Sequence, residues 1–175
     1  MNNADPESQS LIAQLLLLVV LTFINAFLAA AEIAVVSVNK NRVEQKAEDG
    51  DAKAQKFLKV LQDPNNFLST IQVGITLVNI LSGASLAETL SSRLAPVLGG
   101  GAAAKSLASI IILALLTYVS IVFGELYPKR IAMNKSEEVA QLTSGAVRFL
   151  GVIARPFVWL LSASTDLLSK ITPMT

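Results

Sequence analysis

Glu125 is the residue around which the chemistry of this chain gathers. It closes an apolar run, Val119-Ser120-Ile121-Val122-Phe123-Gly124-Glu125-Leu126-Tyr127-Pro128-Lys129-Arg130. A carboxylate at the edge of a membrane-length segment is costly to keep and is by default a functional candidate. Pro128 sharpens the point. It has no amide hydrogen, so in a helix the carbonyl of Gly124 loses its partner. A freed carbonyl oxygen beside a carboxylate is ligand chemistry for a hard cation. Ion binding is the first expectation, and the competing structural reading is an ion pair from Glu125 to Lys129, four residues on.

Other oxygens fall on stripes. Ser69, Gln72, Thr76, Asn79 and Gly83 follow at steps of three, four, three and four, so they share one helical face. Asn25, Ala29 and Glu32 share a face in the same way, and so do Thr117, Ser120 and Gly124, with Glu125 at that stripe's edge. Small and amide-bearing faces also let membrane helices approach closely and hydrogen-bond. That packing role suffices for Ser69, Gln72, Thr117 and Ser120. Asn79 stays open between cation ligand and interhelix clasp, and Glu32 between a functional role and pairing with Lys40 or Arg42. A site joining Glu125 to the Asn79 face needs irregular backbone lining a cavity, and Gly124 and Pro128 would permit it.

Composition narrows the ligand. Of 175 residues, 53% are hydrophobic and 15% charged, against about 25% charged in a soluble domain. Net charge is +1, so nucleic acid is not an expected partner. Cysteine and histidine are both absent, which removes thiolate sites, disulfides and the commonest general base and transition-metal ligand. Oxygen-only donors favour magnesium, sodium or calcium over zinc or copper. Gly99-Gly100-Gly101 lacks the following helix and lysine pattern of a phosphate loop. An enzyme is not expected.

These groups must be held by membrane segments. Residues 1–10 are expected to be an unfolded outer tail. Leu11 to Val38, Phe67 to Leu90 and Ser106 to Leu126 are three expected spans, since about 20 apolar residues cross a bilayer. A secretory signal ending at Ala29-Ala30-Ala31 is disfavoured, because no basic residue precedes the run and it continues past the alanines. Residues 39–66 form a charged connector with helical spacing, expected as short helices on the membrane surface. Residues 91–105 are expected to be a loop. In residues 136–175, Arg148, Arg155, Ser162 and Asp166 share one face, which favours a juxtamembrane amphipathic helix over a fourth span. The basic loops put the amino terminus outside and the carboxyl terminus in the cytoplasm.

Three stretches together resemble one family, the CNNM/CorC transmembrane domain. They are Asn25-Ala26-Phe27-Leu28-Ala29-Ala30-Ala31-Glu32-Ile33-Ala34, the run Phe67 to Ile80 after Asp63-Pro64, and Gly124-Glu125-Leu126-Tyr127-Pro128-Lys129. Pro156 to Ser162 is similar to the segment that follows. The resemblance implies an all-α, homodimeric domain in the lipid bilayer, with three spans over residues 11–135 and helices belting the cytoplasmic side. It implies magnesium export from the cell, with sodium as the exchanged ion. Carried over, Glu125 is the acidic ligand or coupling residue. Asn79 and a Ser82-Gly83 turn line the site, and the first-span backbone near Ala29 closes it. Asn25, Thr76 and Gly124 complete the candidate ligands, with Pro128 and Glu32 as structural or gating residues. Two departures from the family pattern, at Ala29 and at Ile75-Thr76, leave backbone carbonyls or water to fill the shell. The family's CBS pair and carboxyl-terminal domain do not follow, so the chain is expected to be the membrane piece of a longer protein.

Overall fold

The computed structural model describes residues 6–173, with side chains over 11–82 and 86–173. It is all helical, and no strand occurs among the described residues. The elements are α1 (Pro6–Ser37), α2 (Lys40–Glu48), α3 (Ala52–Gln62) and α4 (Asn65–Leu94), then a 3₁₀ turn (Ala95–Leu98). They continue with α5 (Ala102–Ile121), a π-helical turn (Val122–Leu126), α6 (Tyr127–Asn134) and α7 (Ser136–Ile171). Four stretches are long and apolar enough to cross a membrane: Leu11–Ser37, Asn65–Leu98, Ala102–Asn134 and Ser136–Ile171. The chain is a multi-span, all-α membrane protein.

Several boundaries differ from the sequence-based expectation. Helix α1 starts at Pro6, so residues 6–10 belong to it, while residues 1–5 lie outside the described residues. Proline suits a first helical turn, where its missing donor costs nothing. Most of the expected loop at 91–105 is helical as well. The turn is confined to Gly99 and Gly100, whose φ of 112° and 75° lie where only glycine is unstrained. Helix α5 follows directly at Ala102, so a helix does follow the glycines. The Gly-Lys-Ser/Thr sequence of a phosphate loop is still missing. Helix α4 runs unbroken through Ser82 and Gly83, so the expected turn there is not formed; whether Gly83 lines a site lies outside what is described.

The described chain divides into two compact units. One holds α1 up to Ala29 with Ile75–Arg130, and the other holds Ala30–Gly74 with the described residues from Ile131 on. In the second unit, local capping builds the connector. Asn39 Oδ1 accepts from Asn41 N at 3.1 Å and Arg42 N at 3.4 Å, and Asp51 Oδ1 accepts from Lys53 N at 3.0 Å. Each cap satisfies donors that a helix start leaves orphaned. Gly50 turns the chain between them at φ 97°. Ala54, Phe57 and Val60 bury the inner face of α3. Glu137 ties α7 to α2, pairing with Arg42 Nε at 3.3 Å and with Lys46 Nζ.

Helix α7 is continuous for 36 residues, through Pro156. Its buried residues Ala140, Thr143, Val147, Gly151 and Val158 form one narrow stripe. Gly151 is the close-approach point, because a Cβ there would lie 3.3 Å from Thr70 Oγ1. Thr70 itself is held in place by donating to Asn66 O at 2.8 Å, so it cannot swing aside without losing that bond. A Gly151→Leu variant is therefore expected to destabilise this unit by about 1–3 kcal/mol through overpacking. Thermal unfolding in detergent checks it, and an unchanged midpoint would remove this contact from the account.

Candidate functional site

Pro128 and Gly124 behave as elementary chemistry requires, with one addition. The backbone between α5 and α6 widens into a π turn, in which Tyr127 N donates to Val122 O, five residues back. Single π turns of this kind cluster at functional sites. The Gly124 carbonyl, which a Pro128 amide cannot reach, accepts instead from Asn25 Nδ2 of α1 at 3.1 Å. Glycine is needed for that approach: a Cβ at position 124 would stand 3.0 Å from Asn25 Nδ2. The carbonyl expected to be freed for a cation is therefore already engaged by an amide.

Asn25 is 4% exposed, and its other amide atom, Oδ1, has no hydrogen-bond partner. Buried polar atoms are paired in the great majority of cases. An orphan of this kind asks for a water or an ion.

Glu125 faces a cavity of about 280 Å³ in the same unit. Its polar lining is Glu125, Asn79, Ser82, Thr117 and Ser120. The remaining walls are Leu18, Leu113, Leu116 and Ile121. Ser82 Oγ donates to Val78 O at 2.7 Å. This uses its proton on its own helix and leaves its lone pairs available. Among the described residues, the hydroxyls of Thr117 and Ser120 are not tied to backbone in this way. Glu125 forms no ion pair with Lys129, since the ion pairs among the described residues are those of Glu137. The competing reading of Glu125 is thus not realised.

Three expected ligands therefore meet in one cavity: Glu125, Asn79 and Ser82. Gly124 and Asn25 meet each other, and neither lines the cavity. Ala29 is fully buried and contributes no side-chain oxygen. Thr76 is exposed and Pro128 buried, and neither lines the cavity. Glu32 is half-buried, belongs to the second unit and makes no ion pair with Lys40 or Arg42. Thr117 and Ser120, for which a packing role suffices on sequence grounds, line the cavity. Their shared stripe with Gly124 was the available signal.

The donor set is one carboxylate with neutral oxygens, and no group of three or more His, Cys, Asp or Glu occurs among the described residues. That suits a hard cation that keeps part of its water, as magnesium does.

The family model described as the cyclin M transmembrane N-terminal domain matches residues 16–174. The chain belongs to the CNNM family. It is 38% identical to the UPF0053 protein sll0260 of Synechocystis over 96% of this chain and 38% of that protein. It is 33% identical to the UPF0053 protein YhdT of Bacillus subtilis over 90% of this chain and 35% of that protein. A protein named polyamine export protein, from Haemophilus influenzae, is 32% identical over 83% of this chain and 34% of its own length. This CNNM chain thus spans little more than a third of the relatives it matches.

The Asn25–Gly124 pair can be tested directly. A hydrogen bond between membrane helices is worth about 0.6 kcal/mol on average and at most about 1.7, so Asn25→Ala is expected to cost stability within that range. Gly124→Ala is expected to cost more, since it loses the bond and adds a clash. Thermal unfolding in detergent separates the two, and equal, near-zero shifts would show the pair to be unimportant.

Proposed function

We propose that this domain exports magnesium, with sodium as the exchanged ion, through the cavity that Glu125 faces. The observation that carries this reading is a half-buried carboxylate without a counter-ion, facing neutral oxygens from Asn79, Ser82, Thr117 and Ser120. An isolated buried charge is costly, and a cation offsets that cost. Removing water from magnesium is costly as well, so a site with one acid implies that the ion keeps several waters. Asn25 and Gly124 are the support of the π turn that aims Glu125, and the orphaned Asn25 oxygen is a further ligand when the protein rearranges around the ion. Glu32, Thr76, Gly83 and the backbone at Ala29 remain candidate gating or lining groups of the transport path. The protein acts as a homodimer and is not an enzyme.

A second reading has its own support. The apolar walls Leu18, Leu113, Leu116 and Ile121 suit the methylene chain of an organic polycation, and one relative bears the name polyamine export protein. A third reading, a membrane-anchored scaffold that positions cytoplasmic domains, predicts no flux and a stability indifferent to either cation. Binding to the folded state raises the melting temperature, so that indifference is measurable.

The topology we adopt has the amino terminus outside, three spans within residues 11–135, and α7 lying along the cytoplasmic surface. Arg148 and Arg155 of α7 line a common cavity with Lys59 and Asp63 of the charged connector. A spanning α7 would carry these arginines near its middle, at a cost of several kcal/mol.

Two outcomes follow. Glu125→Gln is expected to lower magnesium efflux from loaded liposomes at least about tenfold, the consequence of losing about 1.4 kcal/mol or more of ion stabilisation. Spermidine efflux lost in its place would favour the organic cation, and unchanged efflux of both would exclude Glu125 from transport. Cysteines placed singly at Glu138 and Lys170 are expected to react with an impermeant maleimide from the same side of the membrane. Reaction from opposite sides would make α7 a fourth span.

A further inference from the structure

The second unit contains a cavity that the transport reading does not use. It measures about 330 Å³ and lies between α3, α4 and α7, within the size range of small-molecule sites, about 300–1,000 Å³. Three cations line it, Lys59, Arg148 and Arg155, against a single acid, Asp63. Its formal charge is +2, and no ion pair neutralises these cations among the described residues. Three cations against one acid around one cavity leave a net repulsion that an anion would relieve.

The depth of the cavity narrows which anion. Lys59 and Asp63 directly precede Asn65, where the membrane-length stretch of α4 begins. The cavity therefore lies at the level where a bilayer changes from hydrocarbon to headgroups. Its remaining wall includes Phe67 and Val152, and Val152 is 65% exposed beside the equally exposed Phe149 and Ile153 on α7. A ligand here meets positive charge at one end and open apolar surface at the other.

We propose that this cavity binds the phosphodiester headgroup of an anionic phospholipid, with the acyl chains lying along the apolar side of α7. The guanidinium groups of Arg148 and Arg155 take the phosphate oxygens through paired N–H donors. Lys59 adds a third charge, and Asp63 limits the site to a singly or doubly charged headgroup. Bound lipid would fix α7 on the membrane surface. The proposal stands or falls independently of the cation site, because none of these residues belongs to the unit that holds Glu125.

The test is lipid retention by the chain, measured by native mass spectrometry after exchange between phosphatidylglycerol and phosphatidylcholine nanodiscs. Wild type is expected to retain phosphatidylglycerol selectively. Retention is expected to fall roughly fivefold for each arginine lost in Arg148→Gln and Arg155→Gln. It should be kept only in part in the Arg148→Lys/Arg155→Lys double variant, which preserves the charge but loses the paired donors, and in full in Lys105→Gln, which removes a cation elsewhere. A large excess of inorganic phosphate, matched in ionic strength by chloride, is expected not to displace the lipid. Equal retention of both lipids by wild type overturns the proposal without any variant having to fold. Displacement by inorganic phosphate overturns it too, in favour of a free anion. Full retention by both glutamine variants excludes the arginines and, with them, the site.

Discussion

A proline that cannot donate sets the geometry of the cation site. Pro128 leaves the Gly124 carbonyl without its helical partner, in surroundings where an unmet carbonyl costs several kcal/mol. Asn25 of α1 meets that need through its amide nitrogen. The approach is possible because Gly124 has no side chain to obstruct it. With the carbonyl held from outside the helix, the turn relaxes to π geometry, and Glu125, the next residue, lines the cavity. One missing hydrogen thus accounts for the placement of an asparagine, a glycine and a glutamate.

Charge is distributed differently in the two units. The cavity of the first has a lone carboxylate among neutral oxygens and leucines. The cavity of the second has three cations and one carboxylate. Neither is closed off by an internal ion pair, although Glu137 shows that the chain forms such pairs where position is all that is needed. Pairs near water, such as those of Glu137, contribute little to stability. Charges left unmatched at the edge of hydrocarbon are a different matter, since each keeps an electrostatic demand that a mobile partner can satisfy.

Much of this was legible in the residues. Hydropathy and length marked the long apolar helices, without deciding whether α7 crosses, and Gly124 with Pro128 marked the irregular backbone between α5 and α6. The stripe arithmetic put Asn79 on one polar face and Glu125 at the edge of another, and the family resemblance joined them in one site. The sequence did not show what happens to the freed carbonyl. Residues 25 and 124 are 99 positions apart, and local spacing carries no information on such a contact. The supposed turn at Ser82-Gly83 failed for a related reason: glycine is tolerated inside a helix at about 1 kcal/mol, and neighbouring helices decide whether that cost is met. Thr117 and Ser120 read as packing residues in the sequence, because hydroxyls in membrane helices commonly bond their own backbone. Ser82 follows that habit; these two do not.

The π turn has a consequence beyond the carbonyl it exposes. Relative to an α-helix it accommodates one additional residue, and each residue of an α-helix turns the chain by about 100°. The side chains from Tyr127 to Arg130 are therefore out of phase with the spacing that α5 would continue, so they do not extend one continuous face. Lys129 and Arg130 take their bearing from this bulge rather than from their spacing to the residues before it.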